Sequence, residues 1–173
     1  ETAGLVEALG CVPVFTEEVA RVRLALRWPK RLNGGKEVDN LVSNLDVTAT
    51  ILDAADIEVP QSMHSRSLMQ LAAGPSVTDW PDHIVCEHYG HGHILPQRII
   101  VRGRYKYVAA LFDGDELYDL ESDPYEMHNL VDIPEYADVR KSLRESLIAH
   151  IEARLDEGSA FVRRSMESLL IAL

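Results

Sequence analysis

Residues 116–130 read ELYDLESDPYEMHNL, and this stretch decides how the later part of the chain folds. It begins as a β-strand that contains Leu117 and Leu120. The strand has to stop at Asp123-Pro124, because proline fixes its own φ and moves the preceding residue out of the helical region. A short turn or helical piece is expected to follow and to hold the chain before a longer helix. The stretch is therefore an acidic strand-to-helix corner, and its composition alone indicates no reaction.

Length and charge narrow the classes of protein to which this chain can belong. Its 173 residues are enough for one domain of ordinary size with a hydrophobic core. A net charge of −11 and a pI near 5.0 argue against nucleic acid or an anionic membrane surface as partner. An anionic substrate is compatible with this balance, because a site can be locally basic. No apolar run is long enough to span a bilayer, and no signal peptide opens the chain. The start at Glu1 without a methionine predicts a missing upstream segment.

The two cysteines, Cys11 and Cys86, are too few for a disulfide framework. We predict that both are buried thiols.

The first part of the chain predicts loop, strand and helix in turn. Residues 1–18 are interrupted by glycine and proline and predict a loop. Residues 21–28 alternate apolar and basic side chains, which predicts a strand with one buried face. Its arginines are expected to form a solvated face. Within residues 38–57 the apolar positions have helical spacing, and the helix is expected to begin near Ser43 or Asn44.

The later part of the chain predicts short strands followed by one long helix. Four strands are expected, joined by tight turns into an antiparallel meander, over residues 83–87, 97–102, 104–111 and 116–120. The helix is expected from Pro134 to about Asp156, because an apolar residue recurs every fourth position. That stripe consists of Val139, Leu143, Leu147, Ile151 and Leu155. Residues 159–173 form a second amphipathic stretch and predict a helical tail.

One cluster has the side chains for chemistry, the loop Glu87-His88-Tyr89-Gly90-His91-Gly92-His93. Glycines let such a loop bend sharply, so the imidazoles can converge. Three interpretations are open: a polar loop at a strand end, a loop that contacts substrate, or a metal site, since three histidines and a glutamate suit a borderline metal.

The acidic corner resembles a sequence found near the C-terminus of sulfatases, which belong to the alkaline-phosphatase-like superfamily. The pattern E-L-Y-D-L-E-x-D-P-x-E-x-x-N-L is intact from Glu116 to Leu130. Four further segments resemble sulfatase sequences, namely residues 15–29, 42–52, 64–68 and 98–107. The chain departs from the family pattern at three positions: Arg23 and Ala49 replace prolines, and Ser65 replaces a glycine.

The resemblance implies an α/β fold and a division of the chain. Residues 1–75 would end the main α/β core, residues 76–158 would form an antiparallel sheet packed by a long helix, and residues 159–173 would be a helical tail. The loop at residues 87–93 would lie on the substrate side. Five side chains would then line the rim of the pocket: His88, His91, His93, Gln97 and Arg98.

The resemblance also shows what this chain lacks. Sulfatases convert a cysteine or serine in a C/S-x-P-x-R motif to formylglycine, and neither cysteine here lies in one. The calcium ligands of the family would lie upstream, and Ala3 and Ala8 stand near positions where the family has an active-site histidine and lysine. The chain alone is therefore expected to be inactive. Within an intact enzyme that uses formylglycine and calcium, it would act on a sulfated small molecule or sugar.

Two alternatives stay open from the sequence. A related phosphonate monoester or phosphodiester hydrolase shares much of the same C-terminal pattern. A truncated, non-catalytic interaction module is the other alternative. In either case residues 1–75 would be part of a larger sheet, so an unpaired edge and self-association are expected.

Overall fold

A computed structural model of the chain describes residues 16–29, 31–74, 77–88, 97–110 and 114–153. These residues fall into two compact units. One consists of the described part of Arg23–Ile84, and the other combines the described parts of Glu1–Val22 and Val85–Leu173. No helix within the described ranges is both long and apolar enough to cross a membrane.

The elements follow in chain order through the described residues. The helices before the sheet are α1, α2 and α3, at Glu17–Ala20, Leu45–Ala54 and Met69–Ala73. The strands are β1, β2, β3 and β4, at His83–His88, Gln97–Arg102, Tyr105–Ala110 and Glu116–Asp119. A short 3₁₀ helix at Pro134–Tyr136 leads into the last helix, α4, at Ala137–Glu152.

The strand predicted for residues 21–28 is wrong. These residues are extended but form no ladder with any other described segment, and α1 lies where the end of a loop was expected. The side chains of Val22, Leu24 and Leu26 are 70%, 47% and 44% exposed. Alternation alone does not make a strand, because the backbone needs a neighbour for its N–H and C=O groups. The arginines of this segment are exposed, as expected for a solvated face. Self-association through this apolar surface stays a prediction.

The start of α2 confirms the helix predicted near Ser43 or Asn44. Asn44 is the cap residue, and the Asp46 carboxylate accepts a hydrogen bond from the backbone N–H of Ser43 at 2.8 Å. An acidic side chain that reaches back to an N–H at the helix start stabilises the first turn.

Within the unit Arg23–Ile84, hydrogen bonds join two of the segments that resemble sulfatase sequences, residues 42–52 and 64–68. Asp46 Oδ1 accepts from the backbone N–H of Arg66 at 2.9 Å. Thr50 Oγ1 donates to the carbonyl of Asp46 at 2.6 Å and accepts from the backbone N–H of Leu68 at 2.8 Å. The buried polar side chains of α2 therefore position the segment that precedes α3.

Replacing Thr50 by valine is expected to lower the free energy of unfolding of this unit by about 1 kcal/mol, because the buried N–H of Leu68 loses its acceptor. Urea unfolding followed by circular dichroism measures the change. Thr48 is exposed on the same helix, so Thr48→Val is the matched control and should change stability by less than about 0.5 kcal/mol. Equal losses in both variants would contradict the bridging role of Thr50.

The sheet is the predicted meander, with strand order β1-β2-β3-β4. Strands β2 and β3 pair antiparallel from Gln97 opposite Ala110 to Arg102 opposite Tyr105, and β4 continues antiparallel on β3. Gly103 opens the two-residue turn between β2 and β3 with a φ of +57°. A positive φ at the first turn residue is the conformation that a type II′ hairpin reserves for glycine.

Helix α4 covers one face of the sheet with the predicted apolar stripe. Leu143, Leu147 and Ile151 are buried, and they belong to one core cluster with sheet residues that include Tyr107 and Leu117. Val139 packs on the edge of this cluster. Leu155, the last member of the predicted stripe, lies outside the described residues, as does the predicted tail at 159–173.

Candidate functional site

The acidic corner is held by cations from the preceding hairpin. Arg104 Nε donates to Asp119 Oδ1 at 2.6 Å, its Nη2 donates to the other oxygen, and its Nη1 lies 2.8 Å from Glu121 Oε2. Paired parallel N–H···O bonds of this kind are among the strongest contacts between side chains. The hydrogen bond from Arg104 holds the pKa of Asp119 at about 2, below its ordinary value of 3.8.

The side chains of a second ion pair in the corner are almost completely buried. Lys106 Nζ lies 2.6 Å from Glu126 Oε2, and the two side chains are 1% and 4% exposed. The other carboxylate oxygen of Glu126 accepts from the backbone N–H of Glu17 in α1. Glu126 also has a φ of +54°, a conformation that costs about 1 kcal/mol for a residue with a Cβ. The surrounding contacts therefore hold this residue in place against backbone strain.

The rest of the corner is pinned through side-chain to backbone bonds. Asn129 Oδ1 accepts from the N–H groups of Leu117 and Val131 at 2.9 and 3.0 Å. Asp123 Oδ2 accepts from the N–H of His128 at 2.8 Å. Burial would raise the pKa of Asp123, but such backbone hydrogen bonds lower it overall. The segment after Pro124 is thus a hydrogen-bonded turn, one of the two forms expected.

The corner does not fit a metal. No group of three or more His, Cys, Asp or Glu in the described ranges is arranged to hold a metal ion. Asp119 and Glu126 already face Arg104 and Lys106, so their charges are neutralised. The residues present do not fit a calcium site, and the corner is a structural clamp.

The structure describes three of the predicted rim residues, and these three lie at the ends of two neighbouring strands. His88 is the last residue of β1 and Gln97 the first of β2, and both are half-buried. They flank the connection 89–96, so His91 and His93 lie outside the described residues.

The side chain of Arg98 is more buried than those of His88 and Gln97. Its side chain is 0% exposed, its Nε is 3.7 Å from Glu87 Oε1, and its Nη1 donates to the carbonyl of Gln97 at 2.9 Å. Since residues of a strand alternate between faces, Arg98 shares the α4 side of the sheet with Ile100. The guanidinium therefore braces Glu87 next to the predicted loop.

Cys86 in β1 is a free, half-buried thiol, and burial raises its pKa, with Lys106 opposing and Glu17 reinforcing the shift. The thiol is thus half-buried where a buried one was predicted. Cys11 lies outside the described residues.

Sequence reasoning missed a polar cavity between α4 and the corner. It is open to solvent, has a volume of about 480 Å³ and is lined by residues that include Tyr107, Asp115, Asp132, Arg140 and Arg144. The two arginines are four residues apart, so they lie on one side of the helix. That spacing was a usable signal, but the apolar stripe of the same helix dominated the interpretation.

Comparison with known proteins gives the family. The model of the family "N-sulphoglucosamine sulphohydrolase, C-terminal" matches residues 13–153. An uncharacterized sulfatase of Escherichia coli K12 is 32% identical over 136 residues, which are 79% of this chain and 27% of that protein. The chain thus spans about a quarter of the length of this curated relative.

Solved structures agree with this assignment. A 2-O GAG sulfatase is similar with a TM-score of 0.66 and 28% identity, over 77% of this chain and 32% of the other. A protein solved in complex with its substrate D-glucosamine-2-N,6-O-disulfate has a TM-score of 0.59 and 27% identity, over 65% and 24% of the two chains. A phosphonate monoester hydrolase from Silicibacter pomeroyi shares the fold, with a TM-score of 0.63 and 22% identity over 78% and 29%.

The corner clamp, the four-stranded meander and the packed helix are thus the structure of the segment that the family model matches. The chain belongs to the N-sulphoglucosamine sulphohydrolase C-terminal family and is a C-terminal portion of a sulfatase.

Proposed function

We propose that the enzyme to which this chain contributes hydrolyses sulfate esters of sugars, and that this chain supplies the rim that orients the sugar. The family match over residues 13–153 is the observation that carries the proposal. The similar proteins named for a 2-O GAG and for a disulfated glucosamine favour a sulfated sugar over a simple aryl sulfate.

In this proposal the reacting centre lies outside the chain. Sulfatases generally use formylglycine and calcium. The sequence contains no C/S-x-P-x-R motif, so in this proposal the formylglycine comes from another part of the enzyme. The contribution of this chain is binding and orientation.

The proposed rim consists of the connection between β1 and β2 together with its two ends. His88, His91, His93 and Gln97 would contact the sugar, since imidazole and amide groups suit hydroxyl and sulfate oxygens. Arg98 would support the rim indirectly, because its buried guanidinium holds Glu87 near the end of β1.

Changing His88, His91 and His93 to alanine in the intact enzyme is expected to lower kcat/KM for a sulfated sugar by about tenfold or more. A small aryl sulfate makes few contacts beyond the sulfate, so its kcat/KM should change by less than about threefold. Losing a contact remote from the reacting bond removes binding energy only from substrates large enough to make it. Steady-state kinetics with both substrates measures the difference.

Two controls make this result decisive. His128 is exposed and lies away from the β1–β2 connection in sequence, so His128→Ala should leave both substrates unaffected. Equal losses on both substrates in the triple variant would overturn the rim. Stabilisation of the chain by zinc or nickel, seen as a raised Tm, would favour the metal-site interpretation of the same histidines instead.

The second candidate is hydrolysis of a phosphonate monoester, which the shared fold of the Silicibacter pomeroyi enzyme favours. Assays of the intact enzyme with a sulfated sugar and with a phosphonate monoester separate the two. A kcat/KM that is higher for the phosphonate would replace the sulfatase proposal.

A further inference from the structure

The unit Arg23–Ile84, called the α2 unit below, buries little apolar surface of its own. Among its described residues two apolar side chains are buried, those of Ala49 and Leu68. Its buried polar side chains outnumber them, namely Asp46, Thr50 and Ser67. Because the burial of apolar surface is the main favourable term in folding, the α2 unit gains stability from a partner that covers its exposed apolar side chains.

Helix α2 has the reverse polarity of a helix in a self-contained domain. Its buried side carries Asp46 and Thr50, which accept backbone hydrogen bonds inside the unit. Leu45 and Ile51 are 59% and 63% exposed, and Thr48 between them is exposed as well. These three residues follow at intervals of three, so they share one side of the helix. The apolar side of a helix is normally the side that packs on a core, so α2 presents a packing face to a partner.

The start of the unit needs a strand as neighbour. Residues 23–27 form no helix and no ladder with any other described residue. In a strand, their alternation would place Leu24 and Leu26, both exposed here, on one side and Arg23 and Arg27 on the other. The N–H and C=O groups of such a segment are satisfied by pairing with another strand. A partner that fits both features has a β-sheet edge and an apolar surface for a helix.

The charge of this segment disfavours a second copy of the chain as that partner. Residues 23–36 contain no acidic side chain and five basic ones, namely Arg23, Arg27, Lys30, Arg31 and Lys36. Pairing of the segment with its own copy would bring the cations of two identical strands together. Like charges that face each other on neighbouring strands are destabilising.

The rest of the sulfatase is a partner of the right kind. The chain is a C-terminal portion of a sulfatase and spans 27% of the Escherichia coli relative, so most of such an enzyme lies outside it. The fold class is α/β. The sheet of an α/β core accepts a strand at its edge and a helix on its face.

We propose that the apolar side of α2 and residues 23–27 are the surfaces through which this chain docks on the N-terminal α/β part of the sulfatase. Leu45 and Ile51 pack on the face of its sheet, and residues 23–27 pair with a strand at its edge. The surfaces rest on the exposure pattern of the α2 unit, whereas the identity of the partner rests on the intact enzyme of the proposed function.

Replacing Ile51 by lysine, in the 173-residue chain alone and in the intact enzyme, tests the helix surface. In the chain alone Ile51 is exposed, so the Tm should change by less than about 2 °C. In the intact enzyme the Tm should fall by about 5 °C or more, because an ammonium replaces an apolar side chain in an interface. Differential scanning fluorimetry measures both values.

Two further variants complete this test. Gln61→Lys adds the same charge at an exposed position outside the helices, and it should change the Tm by less than about 2 °C in both proteins. Ile51→Ala serves if the lysine variant of the intact enzyme does not fold. It should lower the Tm of the intact enzyme by about 2 °C or more and leave that of the chain alone within about 1 °C.

Amide hydrogen exchange in the same two proteins tests the strand surface. At least two of the N–H groups of residues 23–27 should exchange about tenfold or more slowly in the intact enzyme, because a strand ladder protects them. The N–H groups of β3 are paired within this chain already, so their exchange should differ by less than about threefold.

Each other result overturns a defined part of the proposal. An equal Tm change for Ile51→Lys in the two proteins overturns docking through α2, and equal exchange of residues 23–27 overturns the strand. A dimer of the 173-residue chain that Ile51→Lys dissociates, seen by analytical ultracentrifugation, makes a second copy the partner instead. These readouts are independent of turnover. An intact enzyme that docks as expected but does not cleave a sulfated sugar would refute the proposed function alone.

Discussion

Replacing Glu126 by glutamine is expected to lower the free energy of unfolding of the sheet and helix unit by about 3–5 kcal/mol. The pair that it forms with Lys106 is almost completely buried, with the two side chains 4% and 1% exposed. The substitution removes the carboxylate that lies against the ammonium of Lys106, while the ammonium stays in the same dry environment. The amide of glutamine can still accept from the N–H of Glu17, so the loss isolates the charge.

Urea unfolding monitored by circular dichroism measures this effect, and Glu121→Gln is the matched control. Glu121 belongs to the same acidic corner, but its side chain is 70% exposed, so its replacement should cost less than about 0.5 kcal/mol. The double variant Lys106→Met with Glu126→Leu should be more stable than Glu126→Gln, because both charges of the pair are removed together. A Glu126→Gln variant as stable as Glu121→Gln would rule out the clamp.

Replacing Asp119 by asparagine is expected to cost about 2 kcal/mol at pH 7, a value that allows for the half-exposed guanidinium of its partner Arg104. The loss should depend on pH in a defined direction. The hydrogen bond from Arg104 lowers the pKa of Asp119 in the folded protein to about 2, against an ordinary value of 3.8. Its stabilising contribution is therefore complete above about pH 4 and is lost as the pH falls towards 2.

The measurement is the free energy of unfolding of parent and variant between pH 7 and pH 2. The difference between them should be constant down to about pH 4 and then shrink, since the parent carboxyl becomes protonated while asparagine does not titrate. Asp138 lies in the first turn of α4 and is exposed, so Asp138→Asn is a control for general loss of acidic charge. A difference that grows as the pH falls from 4 to 2 would contradict the ion pair.

These two ion pairs explain what the acidic residues of the corner do in the fold. One joins Arg104 of the β2–β3 turn to Asp119 at the end of β4, and the other joins Lys106 of β3 to Glu126 after β4, so the sheet and the corner are locked together. The same sheet carries the ends of the β1–β2 connection, where we place the substrate rim. A rigid support of this kind is what a loop needs if it is to orient a sugar with little loss of entropy.

The sequence by itself determined the local elements of this unit. The sequence predicted β2, β3 and the tight turn between them, and the four-residue spacing of Leu143, Leu147 and Ile151 predicted α4 and its buried face. The acidic pattern from Glu116 to Leu130 was enough to indicate the sulfatase family. Such signals are local, since they depend on the repeat of one element and on the φ preferences of single residues.

Only the tertiary structure decided which polar groups meet. Lys106 and Glu126 are 20 residues apart, and no spacing rule pairs them. Arg98, which the resemblance places at the rim, is buried beside Glu87, and Arg144 lines a cavity that no motif marks. Residues 21–28 carry a strand pattern yet form no strand, because pairing partners are supplied by other segments. Contacts between distant segments depend on how the elements pack, and the residue periodicity of a single element does not determine that packing.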